Sequence, residues 1–467
     1  MANPPAVGKE PLSLSKGLQV WTYLEPHSPI TVELDHKGQR TYIWGPSSNY
    51  TDANDIEFPK SHEHATLSIK VNGQTLKQYT MQLGAIDGSL TTTIPATRAN
   101  PAFKVGGYWL SIGIMNAPSG YQDQLYVHMT SDQSDWMAAL PPGTPYHALC
   151  LAGAHDAGMN TMQGLDMITS NKDALDVALK FLLPFISILV AHKFPDYAVW
   201  LGGLTQKDTI SNMLAMGVRY FDFRPGYWVN QLRPFFHDIR HQHAFLPGAL
   251  WKDNLTEILR FLTAHKNEVV QVALGSSGFQ HADMIPSTAD LKSIMAQAKA
   301  SPGVDPTLKV AGLEAFQQTL DSLRSTNSRL VLTDANHGPK MKVLDAYSDG
   351  AWATLKPLTI REAFQNAITP AAQQGKDQTE FQVQGTATAW YINAHHYQSL
   401  IDANHYNLPL VQTKGQFDNN LLGYVLRQVP TLTAKQHWVI LDDFVDGVTV
   451  ETAIEITKKR IAQLGLP

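Results

Sequence analysis

The feature that most constrains this chain is a change of hydrophobic period about a third of the way along it. From about Gly17 to Met129, short runs alternate apolar and polar residues, as in Leu18-Gln19-Val20-Trp21-Thr22-Tyr23, Ala65-Thr66-Leu67-Ser68-Ile69-Lys70-Val71 and Tyr108-Trp109-Leu110-Ser111-Ile112-Gly113-Ile114. A period of two puts the apolar side chains on one face of a strand. Asn72-Gly73, directly after the second run, has the preference for positive φ that a tight hairpin needs. Such runs, recurring with no helical period between them, predict an antiparallel β-sandwich over residues 1–140. Leu140-Pro141-Pro142-Gly143 then breaks the pattern and reads as the linker.

Over residues 141–467, short apolar strands alternate with amphipathic helices. Strands are expected at 147–151, 218–223, 233–236, 269–274, 329–333, 389–392 and 438–441. From Lys252 to His265, Leu255, Ile258, Leu259 and Leu262 fall on one helical face. A second helix is expected from Thr205, whose spacing to Asp208 imitates a capping box. The pattern predicts an α/β fold, a somewhat irregular TIM-type (β/α) barrel with its helices outside. At 467 residues the chain exceeds one ordinary core, as two domains require.

Composition removes several classes of function. The single cysteine, Cys150, allows neither an intramolecular disulfide nor a thiolate metal site. Net charge is −5 and no Lys/Arg block is present, so nucleic acid is not an expected partner. The start MANPPAVGKEPLSL lacks a charged head followed by an apolar run; a cytoplasmic place is expected, with peripheral membrane association or signal-free secretion as alternatives. From Ala174 to Ala191 the chain is nearly continuously apolar, interrupted by Lys180 and Pro184. Those two residues disfavour a spanning helix, and a buried helix pair or a transient membrane-surface contact through 174–194 is expected instead.

Catalytic groups of such a barrel belong at the C-terminal ends of its strands. Four places qualify: the small-residue loop Ala152-Gly153-Ala154-His155-Asp156, the strand end Asp222-Phe223-Arg224, Phe236-His237-Asp238, and Leu441-Asp442-Asp443. Alternation puts Asp222 and Arg224 on one side of their strand, where they can also form an ion pair. Histidines at 237, 241 and 243 could converge on a metal, and Ser276-Ser277-Gly278 lacks the Gly-x-Ser-x-Gly pattern of a nucleophilic serine.

The segment Leu151 to Met159, followed by Gly217-Val218-Arg219-Tyr220-Phe221-Asp222-Phe223-Arg224, resembles the catalytic X-region of the phosphatidylinositol-specific phospholipases C. The resemblance extends by motif order over about 145–450 and is close only at those two segments. The eukaryotic type of that family has Asn after its first histidine and a Glu-x-Asp pair that holds calcium. Asp156 and Asp222-x-Arg224 look like the bacterial, metal-independent type, in which a guanidinium takes the place of the cation. The resemblance therefore implies no cofactor, with calcium as the alternative.

It also implies roles. His155 is the expected base and Arg224 the group that stabilises charge on the phosphoryl oxygens. His237, at the end of an expected strand, is the preferred acid over His241 and His243, and Asp156 assists it. A late carboxylate orients the base, Asp443 being preferred over Asp442. Tyr227, Trp228 and Tyr391 are candidates to stack on a substrate ring. The implied substrate is a phospholipid phosphodiester, foremost phosphatidylinositol; the alternatives are a glycerophosphodiester or sphingolipid headgroup, or a non-catalytic barrel that binds lipid or protein. The basic residue that the family carries after the strand ending at Leu274 is not evident.

Overall fold

The computed structural model describes residues 18–36, 40–46, 53–56, 64–83, 90–94, 101–115, 123–178, 180, 203–243, 246–279, 281–347, 356–385, 413–428 and 436–466. The N-terminal runs form two five-stranded sheets. One has the order β4 (Ala53–Ile56), β1 (Leu18–Leu24), β10 (Asp123–Ser131), β9 (Tyr108–Met115), β8 (Phe103–Val105). The other has the order β3 (Arg40–Trp44), β2 (Ile30–His36), β5 (His64–Val71), β6 (Gln74–Leu83), β7 (Leu90–Thr92). In β2, Ile30, Val32 and Leu34 are buried while Thr31, Glu33 and Asp35 are not, as a half-buried strand requires. Val20, Leu125 and Val127 of the first sheet share one apolar cluster with Val32, Leu67 and Ile69 of the second.

The turn between β5 and β6 has both central residues at positive φ, Asn72 at 51° and Gly73 at 76°, as a tight hairpin demands. The expectation of a purely antiparallel layer needs correction. β1 and β10 run parallel, because their pairing joins chain segments a hundred residues apart and no short turn sets the direction.

The later strands build an eight-stranded, all-parallel curled sheet in the order β17 (Val310–Ala311), β18 (Leu330–Asp334), β16 (Val270–Leu274), β12 (Tyr220–Phe223), β11 (Cys150–Ala154), β21 (His437–Asp442), β20 (Gln378–Val383), β19 (Val343–Asp345). Among the described residues the order has two ends, at β17 and β19. Every residue of β11 and of β21 is buried, the mark of a parallel strand covered on both faces. Gly153 permits the close packing at their centre. A Cβ there would lie 2.8 Å from the Tyr220 ring and 3.0 Å from Leu441 and Val439.

Helix α1 (Ile210–Met216) leads into β12 through Gly217, whose φ of 108° is open to glycine at little cost. Helix α2 (Trp251–Ala264) buries Leu255, Ile258, Leu259 and Leu262 completely, each contributing about 1.5–3 kcal/mol.

Three expectations differ from the structure. Residues 233–236 are the end of a turn and a loop, because Pro234 cannot donate to a ladder and Phe236 packs on Trp228, ring centroids 4.3 Å apart. The strand of this region is β14 (Arg240–His243), held between β13 (Pro225–Gly226) and β15 (Leu246–Leu250) in a small antiparallel sheet. Thr205 does not cap a helix: the cap is Thr209, whose hydroxyl accepts from the Asn212 N–H at 3.1 Å. The strand expected at 389–392 and most of 174–194 lie outside the described residues. Among those described, no helix is long and apolar enough to cross a membrane.

Candidate active site

β11 and β21 are neighbours in register, Ala154 beside Asp442, and the His155 N–H continues the ladder by donating to the Asp442 carbonyl at 3.1 Å. The residue that follows each strand therefore emerges at the same rim. His155 Nδ1 lies 2.8 Å from Asp443 Oδ1. β12, on the other side of β11, delivers Asp222 and Arg224. The Arg224 guanidinium places Nε 2.9 Å from Asp156 Oδ1, one Nη 3.0 Å from Asp222 Oδ2, and that same nitrogen 3.1 Å from His155 Nε2.

Because a guanidinium only donates, His155 Nε2 must accept in this contact, which leaves the proton on Nδ1 for Asp443. In this neutral form, the one populated above its pKa, the ring can take a proton at Nε2. Burial by itself lowers the His155 pKa, but the Asp156 and Asp443 carboxylates outweigh it and Arg224 and raise it to about 9. Asp156 is held well below the usual carboxylate range: its burial is opposed by Arg224, then by His155 and His243.

The residues that follow His155 and Asp443, Asp156 and Phe444, both have positive φ, 43° and 54°. Non-glycine residues persist there only when their surroundings hold them.

His241 and His243, not His237, face Asp156. His241 Nε2 lies 3.1 Å from Asp156 Oδ1, and its Nδ1 accepts from the Arg224 backbone N–H at 3.1 Å. Both its ring nitrogens are thus committed, and the side chain is 1% exposed. His243 Nε2 lies 3.7 Å from Asp156 Oδ2 with 31% of its side chain exposed, so it alone of the two opens to the rim. Burial lowers its pKa despite the neighbouring Asp156. Gly158 makes room for this arrangement, since a Cβ there would come within 2.3 Å of the His241 Cβ. His237 is exposed in the loop after the 230–235 turn, beside a cavity of about 270 Å³ lined also by Tyr227, Trp228, Arg233, Phe236 and Asp238.

Alternation separates Asp443, which meets His155, from Asp442. Asp442 points to the opposite side, where Lys414 Nζ lies 3.2 Å from it, 2.9 Å from Asp418 and 3.7 Å from Asp446. Thr449 donates to Asp442 at 2.6 Å, and His128 of β10 meets Asp446 at 2.9 Å. One lysine cannot balance three buried carboxylates. Burial and Asp442 push Asp418 well above its usual range, so that one of the three keeps its proton.

Tyr227 and Trp228, the candidates for stacking on a substrate ring, are each tied to a carboxylate. The Tyr227 hydroxyl donates to Asp290, and Trp228 is 2% exposed with Nε1 donating to Asp238 at 2.7 Å. Tyr391 lies outside the described residues.

His155, Asp156 and Asp222 bring possible ligand atoms within 4.8 Å of one another, and so do His128, Asp418 and Asp446. Each set already holds a cation supplied by the chain. Arg224 bonds both carboxylates of the first set, and Lys414 sits among those of the second. A divalent ion would have to displace the half-buried Arg224 guanidinium or the buried Lys414 ammonium, so neither donor set fits one as it stands.

No family model matches the chain. It is 29% identical to the human (Homo sapiens) PI-PLC X domain-containing protein 1 over 190 residues, 39% of this chain and 54% of that one. To the mouse (Mus musculus) protein of the same name it is 30% identical over 145 residues, 30% of this chain and 39% of the relative. The match thus spans about half or less of each relative's length. Among solved structures, the phosphatidylinositol-specific phospholipase C of Listeria monocytogenes superposes with a TM-score of 0.42 at 16% identity, over 70% of this chain and 98% of that one. A variant of the Staphylococcus aureus enzyme gives a TM-score of 0.42 at 13% identity, over 70% and 96%. Over the matched residues, this chain is similar to the PI-PLC X domain-containing proteins.

Proposed function

We propose that this chain is a metal-independent phosphodiesterase that cleaves the phosphodiester of a phospholipid, foremost phosphatidylinositol, by transfer to a hydroxyl of its own headgroup. The observation that carries the reading is the Arg224 guanidinium, held by Asp156 and Asp222 with its Nη 3.1 Å from His155 Nε2. It puts a fixed positive charge beside the base at a strand-end rim, where a phosphoryl oxygen needs one. Residues 141–467 form the catalytic TIM-type barrel in this reading, and residues 1–140 a β-sandwich domain. The apolar run 174–194 is the part of the chain suited to touch a lipid surface.

In the reaction, His155 Nε2 takes the proton of the attacking headgroup hydroxyl, whose oxygen bonds to phosphorus. Asp443 accepts the Nδ1 proton's hydrogen bond and stabilises the imidazolium that forms. Arg224 turns its donors from His155 to the non-bridging oxygens as charge builds on them. His243 gives its Nε2 proton to the departing diacylglycerol oxygen as the bond to phosphorus breaks, leaving a cyclic phosphate on the headgroup. Burial disfavours protonated His243, but an arriving phosphodiester adds the negative charge that favours it. Asp156, between the two histidines, supports the acid.

The test is incubation of the protein with phosphatidylinositol vesicles in excess chelator, followed by phosphorus NMR. A cyclic inositol phosphate is expected. Activity that vanishes with chelation would refute the metal-independent mechanism, and no turnover of any lipid phosphodiester would refute the enzyme.

A further inference from the structure

The segment Thr205-Gln206-Lys207-Asp208 is a strap between the two catalytic loops. The Thr205 and Gln206 N–H groups both donate to the Met159 carbonyl, at 3.1 and 3.2 Å. The Thr205 hydroxyl donates to the Asp156 carbonyl at 3.0 Å, and its own carbonyl accepts from the Phe444 N–H at 2.6 Å. Asp156 and Phe444 are the positive-φ residues that follow His155 and Asp443. Gln206, completely buried, lies between them: its Nε2 donates to the carbonyls of His155 and Asp442, both at 2.9 Å, and its Oε1 accepts from the Val445 N–H at 3.0 Å.

The amide can face only one way. Reversed, it would set its oxygen against two carbonyls and its NH2 against a donor. The bonds begin where the ladder between β11 and β21 stops, so one side chain takes over the spacing of the two strands beyond their ends.

We propose that Gln206 is the positioning residue of the His155–Asp443 pair, acting through the backbone of both loops. Neither His155 nor Asp443 is touched by the Gln206 side chain except through main-chain atoms of their loops, so its effect must appear in the geometry of the pair. The contact of His155 with Asp443 is short and partly dry, and a loss of register of a few tenths of an ångström weakens both the hydrogen bond and the Coulomb attraction. Kinetically the proposal rests on the phosphodiesterase reading; its second readout does not.

The experiment compares wild type, Gln206→Met and Gln206→Leu in the full chain. Met keeps the length without the bonds. Gln206→Leu, a second neutral side chain that removes the bonds, serves if the Met variant does not fold. The His155 imidazole is titrated by NMR with nitrogen-15 histidine, His155→Asn identifying its signals. The His155 pKa is expected to fall by about one unit in either variant as the Asp443 contact loosens. An unchanged titration in a folded variant overturns the proposal, whether or not the protein turns over lipid.

On phosphatidylinositol vesicles, kcat is expected to fall about 10- to 10²-fold with KM within about twofold. In an Asp443→Asn background the same substitution should cost about twofold or less, because the pair it positions is already broken. Equal losses in both backgrounds would make Gln206 a general structural bond and overturn the proposal. An inactive wild type whose His155 titration still responds to Gln206 would refute the phosphodiesterase reading and leave the positioning role standing.

Discussion

Arg224 and His155 share a contact in which each limits the other: a guanidinium nitrogen 3.1 Å from the imidazole Nε2 can be accommodated only while that nitrogen is unprotonated. In the proposed reaction the arginine leaves the ring free to act as the base and is the donor that would meet the phosphoryl group. Replacing it with lysine keeps the charge and loses the fork that spans Asp156 and Asp222. Arg224→Lys is expected to lower kcat on phosphatidylinositol vesicles at least about 10²-fold, and His155→Ala at least as much. A loss under about threefold for either would show that the group is not in the transition state.

The pH dependence follows from the same ring. His155 is raised from 6.5 to about 9 in the folded protein by Asp156 and Asp443 acting against burial. A histidine raised on folding stabilises the fold fully below its unfolded pKa, and that contribution fades as pH climbs from 6.5 through 9. Catalysis has the opposite sense, since the base must be free: kcat/KM is expected to rise toward an apparent pKa near 9. Asp443→Asn should move this limb to lower pH while reducing its height. A wild-type limb that stays near 6.5 would remove His155 from the role of base.

The acid can be separated from the base by the leaving group. His243→Ala is expected to lower turnover of phosphatidylinositol at least about 10²-fold, and to cost much less on an aryl phosphodiester whose phenolate leaves unassisted. His237→Ala should leave both within about twofold. The opposite ranking of the two histidines would return the acid role to His237.

Lys414 is the only cation among the buried carboxylates of Asp418, Asp442 and Asp446 that lies within 4.0 Å of them in the described residues. Lys414→Met would strand those charges without a partner, and a loss of about 3–5 kcal/mol is expected. The measure is the urea midpoint, read with the slope of the transition. An unchanged midpoint would mean that the three acids are all neutral in the fold.

Gly158→Ala tests the packing behind the site. The added methyl would meet His241, whose ring fixes Asp156 on one side and the Arg224 backbone on the other. Both stability and kcat are expected to fall, and the kcat loss should exceed about tenfold in protein that remains folded. A folded, fully active variant would show that His241 can move without disturbing Asp156.

Much of the site was legible along the chain. His155-Asp156 in a loop of small residues and Asp222-x-Arg224 at a strand end are local patterns, and alternation by itself puts Asp222 and Arg224 on one side. The parallel strands at 150–154, 220–223, 270–274, 330–334 and 437–442 could be read because burial on both faces makes them continuously apolar. The helix from 251 to 264 could be read because its leucines repeat at helical spacing.

What only the tertiary structure decided are choices among equals in sequence. Asp442 and Asp443 differ by one position, and the strand's alternation sends the first into the Lys414 cluster and the second to His155. His237, His241 and His243 differ by which of them the antiparallel sheet carries to Asp156, and that sheet is set by pairing with residues 225–226 and 246–250. Gln206 sat in a stretch that imitates the start of a helix, since local propensity records nothing of the loops that cross it. Chain-local chemistry names the groups that a reaction needs. Their distances arise from strands that the sequence holds about three hundred residues apart, as it does His155 and Asp443, and only the folded sheet brings such pairs within reach of a hydrogen bond.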